Sequence, residues 1–403
     1  MGHTFWKADY ITNFSCVGSQ CVDTCCKNWK VFVDKESYNF YKSGKNEVLS
    51  PLFEKCINKN QDVYSDNSYG TIELTSEGTC PFLTEKNLCQ IHLEYGSEGL
   101  CKTCKSYPRT TNKVNKEYYQ TGDLSCPEMT RLILLSPELP KWNVLPNIGE
   151  KDLFISKQLE TNRNYTKNIH QVFMNIMKMQ EYTLSKRLWL IGAFIQELHI
   201  QNHQENHKAI KIAVKKVNEL KKYTPTNFIE QKIPLFMQGI ITIISNLQLD
   251  LQGSSRLQEC LSLFQEGIKI ELNKEYTIEE LCTQYQHNYQ NHYQPFMRKH
   301  NYILENYCMH YFMDKLFPYP FHTLAANYII FILCYAIQQF ILVGISASSN
   351  GLNKEVLIQL FQSFSKTFEH NGKRKETYIL SIYNQLYKDE PGFNKCLSIL
   401  LSD

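Results

Sequence analysis

Apolar residues recur at helical spacing along the second part of the chain. Ile169, Val172, Phe173, Ile176 and Met177 form one stripe, and Ile210, Ala213, Val214, Val217 and Leu220 a second. Leu357, Leu360, Phe361, Phe364 and Phe368 form a third, and Tyr378, Ile379, Ile382, Tyr383 and Leu386 a fourth. The most apolar run, Ala325 to Ser346, has the length of a membrane span, but Asn327, Gln338 and Gln339 interrupt it. A core helix is therefore preferred there, and no membrane partner is expected. The first part of the chain has a different texture. It is rich in turn formers, and only short strands stand out, such as Lys30 to Val33 and Thr71 to Leu74. Between the two parts, Ser136-Pro137-Glu138-Leu139-Pro140, continued by Pro146-Asn147-Ile148-Gly149, breaks regular structure. The pattern predicts a mainly α protein: a loop-rich module with short strands over residues 1–135, a linker over 136–149 and an all-α helical body over 150–403.

A chain of 403 residues is long enough to bury a full core without covalent staples. Its net charge of +3, with lysines scattered among acids, leaves no basic tract to neutralise a run of phosphates, so nucleic acid is a poor partner. The lysines between His207 and Lys222 lie on the face opposite the apolar stripe of that segment, which reads as a solvated helix surface. The first nine residues, Met1 to Asp9, contain no apolar run of the secretory kind, and a cytoplasmic location is expected. Thiols stay reduced there, and clustered cysteines are then metal ligands or redox groups more often than disulfides.

Clustering is what the cysteines show: nine of the 15 lie between Tyr10 and Arg109. Cys101-x-x-Cys104 is a hook of the kind that grips zinc. The adjacent pair Cys25-Cys26 is hard to place on one tetrahedral ion, because neighbouring side chains diverge; it suits two centres, or one multi-metal cluster. All-thiolate ligation is as natural for iron–sulfur as for zinc, and Phe14, Trp29 and Phe82 would shield a cluster, so the spacing leaves both metals open. Cys126 opens Ser125-Cys126-Pro127-Glu128, a capping pattern that places its sulfur at a helix N-terminus, where thiolate is favoured. His92, three residues after Cys89, is left out of the ligand set. Cys260, Cys282, Cys308, Cys334 and Cys396 stand singly in helical segments and read as small core residues.

The order Phe-x-Cys-x-Gly-x-x-Cys-x-Asp-x-Cys-Cys-x-x-Trp from Phe14 to Trp29 is followed by four further blocks: Cys80-Pro81-Phe82-Leu83, Leu88-Cys89-x-Ile91-His92, Cys104-x-x-Tyr107-Pro108-Arg109 and Leu124-Ser125-Cys126-Pro127-Glu128. Together they resemble the flagellin lysine-N-methylase family, itself related to zinc- or iron-chelating cysteine-cluster proteins. Leu304-Glu305-Asn306-Tyr307, leading to Leu316-Phe317-Pro318, is similar to the tail of that family. The resemblance implies a cysteine-rich metal-binding N-terminal module followed by the helical body. It implies a lysine N-methyltransferase that carries methyl from S-adenosylmethionine to flagellin, with an iron–sulfur cluster of the four-iron (4Fe-4S) type as cofactor and zinc as the alternative. Carried over position by position, the metal ligands are Cys16, Cys21, Cys25, Cys26, Cys80, Cys89, Cys104 and Cys126, with Cys101 in reserve. The catalytic and S-adenosylmethionine-binding residues stay unassigned.

Two features set limits on that expectation. No Gly-rich strand-to-helix turn of the dinucleotide type occurs, and the cysteines lack the Cys-x3-Cys-x2-Cys spacing of radical S-adenosylmethionine enzymes. A metal-stapled, non-catalytic protein-binding scaffold is therefore the alternative. Tyr285, Tyr289, Tyr293, Tyr302, Tyr307 and Tyr311, near His287, His292, His300 and His310, read as a polar helical surface in preference to a substrate pocket.

Overall fold

The computed structural model describes residues 4–44, 46–61, 65–146, 154–159, 163–201, 207–222, 255–269, 276–315, 324–368, 397 and 401. They fall into two units, Met1–Leu132 with Lys141–Leu159, and Ile133–Pro140 with Glu160–Asp403. The chain is mainly helical, with a few short strands.

The first unit runs through β1 (Thr4–Ala8), β2 (Val31–Val33), α1 (Lys35–Ser43), α2 (Leu49–Cys56), β3 (Ile57–Lys59), β4 (Gly70–Ile72), α3 (Gln90–Tyr95) and α4 (Lys102–Ser106). It continues through β5 (Arg109–Val114), β6 (Glu117–Gly122), α5 (Pro127–Leu134), β7 (Trp142–Pro146) and β8 (Ile155–Leu159). Strands β5 and β6 form a hairpin in which Val114 faces Glu117. Asn115 turns the chain there at a left-handed φ of 52°, which Asn tolerates. Around this hairpin a five-stranded mixed sheet assembles in the order β7-β1-β6-β5-β8.

The stretch expected as a linker therefore contains a strand. Trp142 to Pro146 pairs antiparallel with β1, and Trp142 packs edge-on against Tyr119, whose ring stacks on Trp6. Turn-forming prolines flank the strand or end it, where an edge strand tolerates a missing donor. Residues 141–159 accordingly belong to the first unit.

A second, three-stranded antiparallel sheet, β2-β4-β3, carries the apolar core beneath the thiols. Val31, Val33, Tyr41, Phe53, Ile72, Phe82 and Ile91 are buried together there. Asp34, which follows β2 directly, is 2% exposed and accepts hydrogen bonds from Ser37 N (3.1 Å) and Ser37 Oγ (2.8 Å), capping α1. Its other oxygen contact is Lys102 N at 2.8 Å, so one carboxylate joins the start of α1 to the start of α4. Thr103 Oγ1 donates to Phe32 O (2.7 Å) and Tyr41 OH to Gly99 O (2.8 Å), fixing the same short helix from two sides.

The second unit contains α6 (Arg163–Met177), α7 (Leu184–Ile200), α8 (His207–Leu220), α9 (Ser255–Ile268), α10 (Ile278–Asn288), α11 (Gln294–His300), α12 (Tyr302–Asp314), α13 (Leu324–Ile345) and α14 (Lys354–Phe368). The apolar stripes of α6, α8 and α14 face inward, and Lys208, Lys211, Lys215 and Lys216 face solvent as expected. Residues 378–386 and Cys396 lie outside the described residues. Helix α13 is long and apolar enough to cross a membrane, but it is buried almost throughout, which accords with a core helix. It crosses α9 at glycines: a Cβ on Gly267 would lie 1.8 Å from Gly344 O.

The four-residue tail block is explained by packing. Leu304 is buried; Glu305 pairs with Arg187, itself 1% exposed, while Arg187 Nη1 donates to Met177 O at 2.6 Å. Asn306 Nδ2 donates to Leu134 O (3.2 Å) and Ser136 O (2.8 Å), and Tyr307 OH accepts from Gln338 Nε2 (2.9 Å). Leu316, Phe317 and Pro318 lie outside the described residues.

The tyrosines expected on a polar surface are largely packed. Tyr307, Tyr311 and His310 are core residues, and Tyr285 stacks on Phe340 with ring centroids 5.0 Å apart. Of the four histidines, His287 and His292 are exposed, His300 is half-buried and His310 is buried. Helical periodicity placed Tyr307 and Tyr311 one turn apart on α12, so a single buried face takes both.

Candidate metal centre

Every ligand position expected from sequence lies in the first unit, in loops between short elements except for Cys104, which lies within α4. Cys16 is held by a turn at Gly18, φ 56°, whose N–H donates to Cys16 Sγ at 3.5 Å. Cys21 Sγ donates to Asp23 O (3.3 Å), and Thr24 Oγ1 accepts from Cys26 N (3.2 Å), tightening the turn that presents the adjacent pair. Trp29 Nε1 donates to Cys25 O. The Trp29 ring lies 5.6 Å from that of Tyr107, whose OH is 2.9 Å from Ser125 Oγ. This ladder links the Cys25 loop to the loop that presents Cys126 at the start of α5.

On its other side the Cys26 backbone reaches the second block. Cys80 N donates to Cys26 O at 2.8 Å, and Lys27 and Thr79 form a β-bridge. A bridge between Leu83 and Cys89, with Gln90 N donating to Phe82 O (2.8 Å), closes the knuckle from Cys80 to Cys89. Cys80 and Cys101 are part of the buried core, and Cys26, Cys89 and Cys104 pack against it.

The sulfurs influence one another in the same two neighbourhoods. Burial pushes the Cys80 thiol up to about 12, helped by Cys26, Cys89 and Cys101 and opposed by the Phe82 N–H. Burial raises Cys89 too, with Cys26 and Cys101 adding to it and the His92 and Ile91 N–H groups opposing. A hydrogen bond to Cys101 raises Cys104 well above the ordinary thiol value, and the same bond lowers Cys101. Burial likewise pushes Cys126 up to about 12, against the N–H groups of Met129 and Glu128 and with Cys21 and Cys16 adding to it. Cys25 donates to Cys26, which raises Cys25 and lowers Cys26 to about 7.

The raised thiols, Cys25, Cys80, Cys89, Cys104 and Cys126, are poor anions while unmetallated, and metal binding would have to displace their protons. The donor set is all sulfur, and most of the sulfurs face backbone N–H groups, the environment a metal thiolate requires. A thiophilic metal therefore fits the chemistry of the residues present. Among the described residues no three His, Cys, Asp or Glu side chains converge on one point as the ligands of a single ion do.

All eight expected ligand positions lie in the first unit, as does Cys101, which stands in reserve. Its signal was its place in the hook with Cys104. Asp34, which the sequence reading passed over, ties that hook to α1; Asp34-x-x-Ser37 ahead of a helical segment was the available sign. His92 donates its backbone N–H toward Cys89. Cys260, Cys282, Cys308 and Cys334 are buried in helices of the second unit, in keeping with a packing role.

The family description that matches this chain, FliB lysine N-methylase C-terminal domain, spans residues 170–397 and so more than half of it. The chain is 35% identical over 155 residues to the flagellar biosynthetic protein FliU of Salmonella muenchen, covering 38% of this chain and 85% of that protein. It is 35% identical over 139 residues to a lysine-N-methylase of Salmonella choleraesuis (strain SC-B67), covering 34% of this chain and 33% of the relative. The lysine-N-methylase of Salmonella typhimurium (strain LT2) aligns to the same extent, so this chain spans about a third of the length of both methylases (33%). No solved structure matches.

Proposed function

Because the chain belongs to the FliB lysine N-methylase family, we propose that it is a protein-lysine N-methyltransferase that carries methyl groups from S-adenosylmethionine to lysines of flagellin. The match through residues 170–397 carries this reading. Flagellin as substrate is supported by the flagellar naming of the FliU relative and by the methylase relatives. In the reaction a neutral lysine nitrogen attacks the sulfonium methyl in line. The methyl–sulfur bond breaks, S-adenosylhomocysteine leaves, and the nitrogen gives up a proton. Deprotonating the amine and aligning it with the methyl are the tasks the protein must perform.

The thiols of the first unit are proposed to hold an iron–sulfur cluster. Cys16, Cys21, Cys25, Cys26, Cys80, Cys89, Cys104 and Cys126 are the ligand candidates, joined by Cys101. Such a cluster supplies one-electron chemistry or a rigid staple, at a potential set by burial and by hydrogen bonds to its sulfurs.

A net charge of +3 gives little bulk attraction or repulsion, so docking of a folded protein substrate rests on shape and local hydrogen bonds, with modest salt dependence. The enzyme is proposed to act in the cytoplasm.

One observation favours the scaffold reading. The five-stranded sheet is mixed, with β7 and the β5–β6 hairpin antiparallel, and so differs from the parallel sheet that holds cofactor in nucleotide-fold enzymes. Incubation of anaerobically purified protein with S-adenosylmethionine and flagellin, followed by intact mass spectrometry, separates the two. Additions in steps of about 14 Da, one methylene each, are expected. No addition with the metal site fully loaded selects the scaffold.

A further inference from the structure

We propose that S-adenosylmethionine binds on the solvent face of the β2-β4-β3 sheet, where the ladder between β2 and β4 opens. This rests on the methyltransferase reading and goes further by assigning residues that hold the methyl donor.

The opening follows from a change of register. Val31 and Ile72 are the last pair of the β2–β4 ladder, and the two stretches next meet at the bridge between Lys27 and Thr79. Three residues, 28–30, lie between these points on one side and six, 73–78, on the other. A turn takes up the surplus, with Thr75 N donating to Thr79 O at 2.9 Å, and the stretches part ahead of it. There a cavity of about 470 Å³ is lined by Trp29, Lys30, Asn58, Ile72, Glu73 and Leu74. Its size suits a small-molecule ligand.

The two charges of this cavity are set for a zwitterion. Continuing the register past Val31 and Ile72 puts Lys30 opposite Glu73, on the face that carries Phe32, Thr71 and Asn58 and away from the buried Val31, Val33 and Ile72. Opposite charges so placed ordinarily meet across the strands. Here they turn apart: Lys30 Nζ lies 5.1 Å from the centre of the Phe32 ring, and Glu73 Oε2 accepts from Asn58 Nδ2 at 2.9 Å. Ammonium and carboxylate thereby flank the cavity, and among the described residues neither forms an ion pair.

The methionyl end of S-adenosylmethionine answers both charges, its carboxylate to Lys30 and its ammonium to Glu73. A lysine side chain would also suit a carboxylate beside an indole, but it would answer Glu73 alone and would face Lys30. Half-buried Trp29 and Leu74 supply the apolar wall. An indole stacks with a purine base and attracts a sulfonium. This indole is already fixed, since Trp29 Nε1 donates to Cys25 O and the ring lies against Tyr107.

The test is calorimetric titration of the full chain, purified anaerobically with its metal, using two ligands. S-Adenosylhomocysteine keeps the amino-acid head, and methylthioadenosine lacks it. Lys30→Met and Glu73→Gln lie at exposed positions, Met keeping the stem over Phe32 and Gln an oxygen for Asn58. Each should weaken S-adenosylhomocysteine roughly three- to tenfold. Neither should change methylthioadenosine, whose unaltered binding reports that the cavity is intact. Glu36→Gln, at an exposed position on α1, should change neither ligand. S-Adenosylhomocysteine binding that is unaltered in both variants overturns this site and leaves the methyltransferase reading standing. Equal weakening of the two ligands overturns the assignment of the charges to the amino-acid head. Absence of S-adenosylhomocysteine binding to the unaltered protein overturns the site as well, and mass spectrometry of flagellin from the same preparation then decides the methyltransferase reading separately.

Discussion

Asp34 is the residue whose loss should show most directly how the first unit holds its thiols. Replacing it by alanine removes three hydrogen bonds, to Ser37 N, Ser37 Oγ and Lys102 N. Loss of the α1 cap costs about 1 kcal/mol. Stranding the Lys102 N–H, which a 2%-exposed carboxylate now receives, costs a further 1–3 kcal/mol or so. The sum is roughly 3 kcal/mol against the stability of the unit. Because Lys102 follows Cys101 directly, the Cys101-x-x-Cys104 hook should also loosen. Asp34→Asn keeps one carbonyl oxygen and should lose about half as much, near 1–2 kcal/mol. Urea unfolding followed by tryptophan fluorescence is well suited, since Trp6, Trp29 and Trp142 lie in the first unit and Trp189 in the second. Metal content after desalting gives the second readout. An unfolding midpoint and a metal content for Asp34→Ala equal to those of the unaltered protein would refute the idea that this carboxylate sets the hook.

Three more expectations concern the rest of the chain. Gly267→Ala should destabilise by about 1–3 kcal/mol despite the better helix propensity of Ala, since its methyl would meet Gly344 O; an unchanged thermal midpoint would mean that α9 and α13 part easily. Glu305→Ala should cost about 3–5 kcal/mol by leaving Arg187 buried without its carboxylate, and Glu305→Ala with Arg187→Met should recover much of that; equal stability of the two in calorimetry would argue that the pair carries no such cost. Chelation followed by limited proteolysis should cut first within residues 1–132 and 141–159, where short elements depend on the thiol loops, and early cuts in α6–α14 would oppose it.

The helical stripes were legible because burial on a helix repeats every third or fourth residue: α14 buries every position that periodicity chose, and α6 and α8 bury theirs except for the half-buried Val172, Val214 and Leu220. The short strands Val31–Val33 and Gly70–Ile72 were also legible, from apolar alternation beside turn formers. Strand β7 was not. Its pairing with β1 joins residues about 138 positions apart, a distance over which local pattern carries no signal, and its prolines argued for a break. The tyrosines of α12 were misread for a related reason: a phenol on a helix looks amphipathic in sequence, but Gln338 from a distant helix takes the Tyr307 hydroxyl and lets the ring be buried.

The thiols show the same contrast between what adjacency tells and what only folding tells. Cys25 and Cys26 side by side suit two centres or one multi-metal cluster, because consecutive side chains point apart. Which distant segments their loops would meet depended on contacts that no spacing encodes: Cys80 reaching back to the Cys26 carbonyl, and Trp29 and Tyr107 carrying the Cys25 loop toward Ser125. Cys101 stands in reserve behind the eight positions that the family resemblance implies. In the fold Cys101 is 1% exposed, receives the N–H groups of Cys104 and Thr103, and stands next to the residue that Asp34 holds. Only the fold supplies a buried thiol with donors in this way, since the Cys104 thiol and the backbone N–H groups of Cys104 and Thr103 all point at Cys101.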